Sequence, residues 1–383
     1  MGWFNYTNAT EEPFTDVTDV MFNVTSLATN RPATPPPVGY YGDLRALLWR
    51  ILAPIIMLMG LTGNCLTVLV LLHQERRKMK STSLFLLALA LSDTIILFSG
   101  PLRNWIINTW GVDVRLASTA SCRAQLYTTY CSIHLSSWLL VAVTWERSLS
   151  VLFPHRVKVL CTSRKAVAII LVLVVIICGI DIMVPVMVKL DGLAERRCSP
   201  YTKELFDLRN NVYEWIDFTL AFAAPFPILV IGNVIIVWQL HQSRARRLKM
   251  SSRIRDTRPI SMLMVALCMV YFLSVTPAAV MQVLYPIYEA KIVEQLKTDP
   301  YTAWYNFQYL LFVHTVTTLL SHMNAAVNFL LYVFSGSKFR QELMLLFRGK
   351  PVSGRSSFAP RPRDSPQTVS TKIPSITTQL ASS

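Results

Sequence analysis

Residues 51–72 read ILAPIIMLMGLTGNCLTVLVLL, 22 positions without a charge. As a helix that run is about 33 Å long, and a bilayer hydrocarbon core is about 30 Å thick. Working outward, the pattern recurs. Ser81–Leu102 carries one charge, Asp93. Cys122–Val151 carries Arg123, Glu146 and Arg147. Ala166–Val188 carries Asp181 alone, and Phe218–Leu240, Pro259–Pro286 and Tyr301–Ser337 carry none. Each block is long enough to cross once, so the expected fold is an all-α membrane protein, a bundle of seven transmembrane helices. Prolines at 54, 101, 185, 225 and 277 do not argue against helix, because membrane helices tolerate them. Composition agrees: 52% of residues are apolar and 15% charged, against about 25% charged in a soluble chain. A large soluble globule is excluded.

Sidedness follows from the connections. Segments 73–80, 148–165, 241–258 and 335–383 hold 23 Lys and Arg against 4 acidic residues, while the remaining connections are nearly balanced. The basic side is expected to face the cytoplasm, with the N-terminus outside and the C-terminus inside. The net charge of +15 is then a topology signal and a contact with anionic membrane lipid, not a footprint for nucleic acid.

Three Asn-x-Ser/Thr sequons, at Asn5, Asn8 and Asn23, suit a lumenal or extracellular N-terminus. Residues 1–45 are expected to be a disordered, glycosylated segment, residues 46–348 the membrane domain with a short amphipathic helix, and residues 349–383 a disordered Ser/Thr/Pro-rich tail. No basic region followed by a short apolar core precedes the first span, so that span is expected to direct insertion. Seven cysteines are too few for a disulfide scaffold. Cys122 and Cys198 are the pair on the oxidising side and are expected to bond. No His or Cys cluster has metal-ligand spacing, and no nucleophile–base constellation marks an enzyme.

Several residues then fall in a familiar order: Gly63-Asn64, Leu91-Ser92-Asp93, Cys122 followed 25 residues later by Arg147 within Glu146-Arg147-Ser148, Pro225, Pro277, Asn324, and Asn328-Phe329-Leu330-Leu331-Tyr332. Phe339-Arg340 opens a short amphipathic segment. In this order and spacing, from about residue 45 to 348, the chain resembles a rhodopsin-like (class A) G-protein-coupled receptor. Its Asn-Phe-Leu-Leu-Tyr variant is similar to invertebrate neuropeptide receptors of the FMRFamide-receptor type.

The resemblance implies roles, and elementary physics weighs them. Asp93 is a carboxylate in mid-span, which is expensive and seldom incidental. It implies a pocket for Na+ with Ser132, Ser136, Asn324 and Asn328; the bland alternative is a protonated, hydrogen-bonded Asp. Glu146 and Arg147 imply an activation switch, although a pair at a span end also reads as interfacial snorkelling. Tyr332 and Tyr271 imply further switch positions, and Pro277 removes a backbone hydrogen bond to make a hinge. Three departures stand out. Ser148 replaces an aromatic, Phe329 a proline, and Val275 the tryptophan usual two residues before Pro277.

On the ligand side, Thr129 stands where amine receptors carry an aspartate, which argues against an amine. The run Lys189-Leu190-Asp191-Gly192-Leu193 carries a hairpin signal before Cys198. Arg103, Asn104, Gln125, Thr129, Tyr130, Glu214, Asp217, Tyr285, Gln308 and His314 mark a candidate site for a short peptide, with Arg103 expected to take a carboxylate or carbonyl and Glu214, Asp217 or Glu289 a guanidinium. Each residue alone reads equally well as an interfacial anchor. Expected partners are an extracellular peptide, a heterotrimeric G protein, an arrestin-like protein on the phosphorylated tail, and lipid. A lipid or small non-amine ligand, or a ligand-binding scaffold without signalling, is the alternative. A transporter or channel would need repeats or several midplane charges.

Overall fold

A computed structural model describes residues 39–74, 79–191, 197–249, 258–335, 340–341 and 343–345. It contains seven helices long and apolar enough to cross a membrane. They are α1 (Tyr40–Gln74), α2 (Ser81–Trp110), α3 (Thr119–Leu152), α4 (Ser163–Met187), α5 (Lys203–Gln242), α6 (Arg258–Leu296) and α7 (Pro300–Ser335). A two-stranded antiparallel hairpin, β1 (Val188–Asp191) with β2 (Arg197–Pro200), joins α4 to α5, with Leu190 opposite Cys198. The sequons, residues 192–196 of the hairpin connection, residues 250–257 of the basic loop before α6 and the C-terminal tail lie outside the described residues. Of the expected amphipathic segment, residues 340–341 and 343–345 are helical.

Several helices start at a side chain that accepts an otherwise orphaned backbone N–H. Ser118 accepts from Ser121 ahead of α3, Thr162 from Lys165 ahead of α4, and Thr202 from Leu205 ahead of α5. Asp299 does so for α7, taking the Thr302 N–H on one oxygen and its hydroxyl on the other. Those Thr302 hydrogen bonds, hydroxyl first, hold the Asp299 carboxyl below its ordinary range.

The helices overrun the apolar blocks that mark them in the sequence. α1 begins at Tyr40 and takes in residues 40–45, which the sequence placed in an unstructured N-terminal segment. Tyr41 explains why: its ring packs at 5.0–5.5 Å against Tyr309, Tyr305 and Phe312 of α7. α6 runs unbroken through both Pro277 and Pro286, and α5 starts fifteen residues before Phe218.

Packing sorts the two kinds of apolar surface. Phe85 and Leu89 of α2, Leu139, Leu140 and Val143 of α3, Leu229 and Ile236 of α5, and Leu267 and Tyr271 of α6 form one buried cluster. By contrast Val172, Val175 and Ile176 on α4 are exposed, as they must be on a helix whose outer face meets lipid. Small residues admit close approach. A Cβ at Gly60 would meet the Ala326 backbone at 3.0 Å, so α1 and α7 can touch. A Cβ at Gly100 would collide with the His322 ring, and α2 breaks at this glycine before Pro101 restarts it.

α5 holds the least regular backbone. Two π-turns, Arg209–Tyr213 and Thr219–Ala223, interrupt it. The second ends two residues before Pro225, whose ring nitrogen has no hydrogen to donate, and Ala224 N–H reaches back five residues to the Thr219 carbonyl at 3.0 Å. Tyr213, the last residue of the first π-turn, is fully buried.

Candidate functional site

Three polar centres lie along the bundle. At mid-depth Asp93 is fully buried. Its two oxygens accept from Ser136 Oγ at 2.6 Å and Asn328 Nδ2 at 2.5 Å. Beside it Ser92 Oγ donates to the Ser132 carbonyl at 2.9 Å, Ser132 Oγ donates to the Thr129 carbonyl at 3.0 Å, and Asn64 Nδ2 donates to the Ala325 carbonyl at 3.1 Å. Asn324 is half-buried and does not donate to Asp93. The Asp93 carboxylate and the Ser136 hydroxyl against it present oxygen lone pairs of the kind a hard cation takes.

A second centre lies at the far end of α3. Glu146 is buried and one of its oxygens accepts from Ser81 Oγ of α2. Its other oxygen has no hydrogen-bond partner and faces Arg147 Nη2 at 4.0 Å, while Arg147 Nε is buried without a partner. The contact is long and leaves hydrogen-bonding capacity on both sides unused. Ser148, which replaces an aromatic, is fully buried; its hydroxyl reaches the Thr144 carbonyl at 2.9 Å and the Gly232 carbonyl of α5 at 3.0 Å. The Tyr332 side chain lies outside the described residues.

The third centre is at the disulfide end. Cys122 at the start of α3 is bonded to Cys198 on β2, and Arg123 Nε donates to the Val188 carbonyl of β1 at 2.9 Å. The hairpin is thereby fastened to α3. Most charged residues that the sequence nominates for ligand are already engaged by neighbours. Arg103 makes a two-pronged pair with Asp113, Nε to Oδ1 at 3.0 Å and Nη2 to Oδ2 at 2.5 Å, and Arg115 joins the same carboxylate. Burial alone would raise the Asp113 carboxyl. The hydrogen bonds from Arg103 and Arg115 outweigh it and hold the group well below the usual carboxylate range. Arg209 pairs with Glu214 at 3.4 Å.

Asp217 belongs to a network the sequence reading does not contain. His134 of α3, fully buried, touches Asp181 of α4 through Nδ1 at 3.0 Å and Asp217 of α5 through Nε2 at 2.9 Å. Tyr213 Oη donates to Asp181 at 3.0 Å, and Gln282 Nε2 of α6 donates to Asp217 at 2.5 Å. Four helices meet there. Asp181 is visible in the sequence as a lone intramembrane charge; the missed step is that such a charge requires a partner, and His134 is the candidate in the neighbouring span.

The remaining nominees are spread out. Gln125 Nε2 donates to the Ser99 carbonyl at 2.8 Å and contacts Thr129 Oγ1 at 3.2 Å, leaving its Oε1 unsatisfied. Tyr130 packs edge-on against Tyr213 at 5.4 Å and Tyr285 against His314 at 5.5 Å. Gln308 is buried with its Oε1 unpartnered. Asn104 bonds only its own helix, at the Gly100 carbonyl.

Between the disulfide end and the core sits the second π-turn of α5. Trp138 Nε1 of α3 donates to the Leu220 carbonyl at 3.1 Å, and Tyr271 Oη of α6 donates to the Ala221 carbonyl at 2.5 Å. Phe226 packs at a tilt against Phe222 at 5.0 Å and Phe272 at 4.8 Å. Val275 is partly buried against the core cluster.

Seven spanning helices, a hairpin fastened by a disulfide to α3, and a buried mid-depth aspartate define a seven-helix membrane receptor. The sequence model of the 7 transmembrane receptor (rhodopsin family) matches residues 63–332, and the chain belongs to that family, whose members are receptors and not enzymes. Among curated relatives, it is similar to C-C chemokine receptor type 8 of Mus musculus, 26% identical over 309 residues and 78% of each chain. It is similar also to cysteinyl leukotriene receptor 1 of Cavia porcellus, 23% identical over 324 residues, 82% of this chain and 90% of the relative. Galanin receptor 2a of Danio rerio is 31% identical over 124 residues, and that match spans about a third of either protein.

Proposed function

We propose that the chain is a plasma-membrane receptor for a short extracellular peptide, with the disulfide end outward and a heterotrimeric G protein engaged at the Arg147 end. The observation that carries the reading is the hairpin fastened by Cys122–Cys198 and the Arg123–Val188 contact, with Val188 packed in one cluster with Tyr130 of α3 and Tyr213 of α5. Support comes also from relatives named for galanin and for C-C chemokines. The Asn328–Tyr332 variant supports the finer reading, a receptor like those for FMRFamide-type neuropeptides.

In this reading the ligand stabilises a state in which α6 pivots about Pro277 and Arg147 leaves Glu146. A ligand shifts that equilibrium only by its differential affinity for the two states. The long Glu146–Arg147 contact is the restraint to be released. Asp93, Ser132 and Ser136 would hold Na+ in the resting state, and an arrestin-like protein would read phosphates on the tail. A lipid or other small non-amine ligand is the second reading, favoured by the similarity to cysteinyl leukotriene receptor 1.

The test is calcium release in cells expressing the receptor with a promiscuous G protein, screened against short peptides. A dose-dependent response, absent from cells that lack the receptor, is the expected result. Silence toward all peptides, with surface expression verified, overturns the peptide reading.

A further inference from the structure

At the Pro277 kink, α5, α6 and α7 form a groove of about 690 Å3, within the size range of small-molecule sites, roughly 300–1,000 Å3. Leu273, Thr276, Pro277 and Val280 line it from α6, Phe226 from α5 and Val313 from α7. Leu273 and Val280 are exposed and all three helices span, so the groove opens to hydrocarbon and not to water. Along α6 it runs from Leu273 to Leu284, about 16 Å of helix. Half of a hydrocarbon core is about 15 Å. Leu273 lies near the middle of α6, and Leu284 lies two residues past Gln282, which bonds Asp217 toward the disulfide end. The groove therefore reaches from one headgroup layer to mid-membrane, the path of a single acyl chain.

The inner end of this groove is polar. Pro277 has no N–H, so the Leu273 carbonyl lacks the donor that a helix normally supplies four residues on. The Thr276 hydroxyl makes no hydrogen bond among the described residues. Its neighbours differ: Ser274 Oγ donates to the Val270 carbonyl at 2.6 Å, and Thr317 Oγ1, also in the groove, donates to the His314 carbonyl at 3.0 Å. Side chains on a helix lean toward its N-terminus, which sets the Thr276 hydroxyl over the turn that carries the Leu273 carbonyl. A donor and an acceptor thus stand side by side where water does not reach, and open polar groups are costly there. A plain acyl chain would leave both open. One hydroxyl answers both, accepting from Thr276 and donating to the Leu273 carbonyl.

We propose that this groove binds a membrane lipid whose acyl chain carries a hydroxyl about twelve carbons from the headgroup, the depth at which an extended chain reaches mid-membrane. The site is separate from the disulfide end and does not depend on the ligand bound there. Pro277 is part of its wall, so an occupant bears directly on the kink of α6.

The test is thermal unfolding of the purified receptor in phosphatidylcholine nanodiscs loaded with stearic, 2-hydroxystearic or 12-hydroxystearic acid. The three acids share a chain and differ only in the presence and place of one hydroxyl. A molecule that binds the folded state raises the melting temperature, so 12-hydroxystearic acid should raise it by a few degrees more than the other two. Thr276→Val keeps the shape, removes the hydroxyl and should erase that difference. Val280→Trp, which fills the groove, should erase it too. Equal shifts with all three acids, a larger shift with 2-hydroxystearic acid, or a 12-hydroxy effect that survives in either variant overturns the proposal. If Val280→Trp is not recovered folded, the contrast among the acids on wild type and on Thr276→Val decides. These melting temperatures involve no peptide, so their outcome is distinct from that of the peptide screen.

Discussion

Tyr271 of α6 donates its phenol hydrogen to the Ala221 carbonyl of α5, a carbonyl that the π-turn Thr219–Ala223 turns away from its own helix. The bulge and the tyrosine are complementary: irregular backbone at membrane depth persists only where a neighbour supplies the missing partner. Tyr271→Phe keeps the ring and removes the donor. The expected loss is about 1–2 kcal/mol for an unsatisfied buried acceptor, seen as a melting temperature a few degrees lower for the purified receptor in detergent. An unchanged melting temperature would mean the hydroxyl contributes nothing to the α5–α6 contact.

His134→Phe removes one partner from the buried Asp181 and the partly buried Asp217 at once. Breaking a buried charged pair costs about 3–5 kcal/mol, and most of the variant should be retained inside the cell. The double variant His134→Leu with Asp181→Asn, which also neutralises the acid, should restore part of the surface expression. Normal surface levels for His134→Phe would refute the view that this network supports the fold.

Glu146→Gln weakens the hold on Arg147 and should raise agonist-free G-protein output, and Ser81→Ala, which frees one Glu146 oxygen to turn toward Arg147, should lower it. Arg147→Ala should abolish output while leaving ligand binding in place. Equal basal output in all three variants and wild type would remove the switch assignment.

For the mid-depth site, Asp93→Asn keeps the shape and removes the one formal charge. Agonist affinity of the wild type should fall as NaCl replaces choline chloride, and the variant should not respond. A wild type indifferent to Na+ would leave Asp93 as a structural hydrogen-bond acceptor only.

Asp113 makes a pH prediction. Its folded carboxyl lies below the unfolded value because Arg103 and Arg115 outweigh burial, so its stabilisation is fully present above the unfolded pKa of about 3.9 and fades as pH falls toward the folded value. The difference in melting temperature between wild type and Asp113→Asn should therefore stay constant from pH 8 to about 5 and shrink only below about 4. A difference that varies with pH near neutrality would assign the linkage to another group.

The sequence carries the architecture because a bilayer leaves few options: long uncharged runs must be helices, and Asp93 or Arg147 stands out as a rare polar residue against them. What it does not carry is which side chains meet. Arg103 and Asp217 read as free ligand contacts, yet Asp113 and His134 already hold them, across a loop in one case and 83 residues in the other. Ser148 looks like a lost aromatic and instead bonds the Gly232 carbonyl, a partner fixed by helix packing and not by local spacing. The second π-turn of α5 leaves no periodic trace beyond Pro225, since one extra residue in a turn is invisible in the largely apolar run Thr219–Ala223.

The disulfide between Cys122 and Cys198 spans 76 residues of sequence, and everything between belongs to a covalent ring: α3, α4 and the hairpin. The connection between α3 and α4, at 153–162, lies inside that ring and at the opposite end of the bundle from the bond. A single proteolytic cut there would leave one molecule of unchanged mass on a non-reducing gel, apart from the added water. Reduction would then release two fragments, one beginning at the N-terminus and carrying α1 to α3, the other carrying α4 to α7.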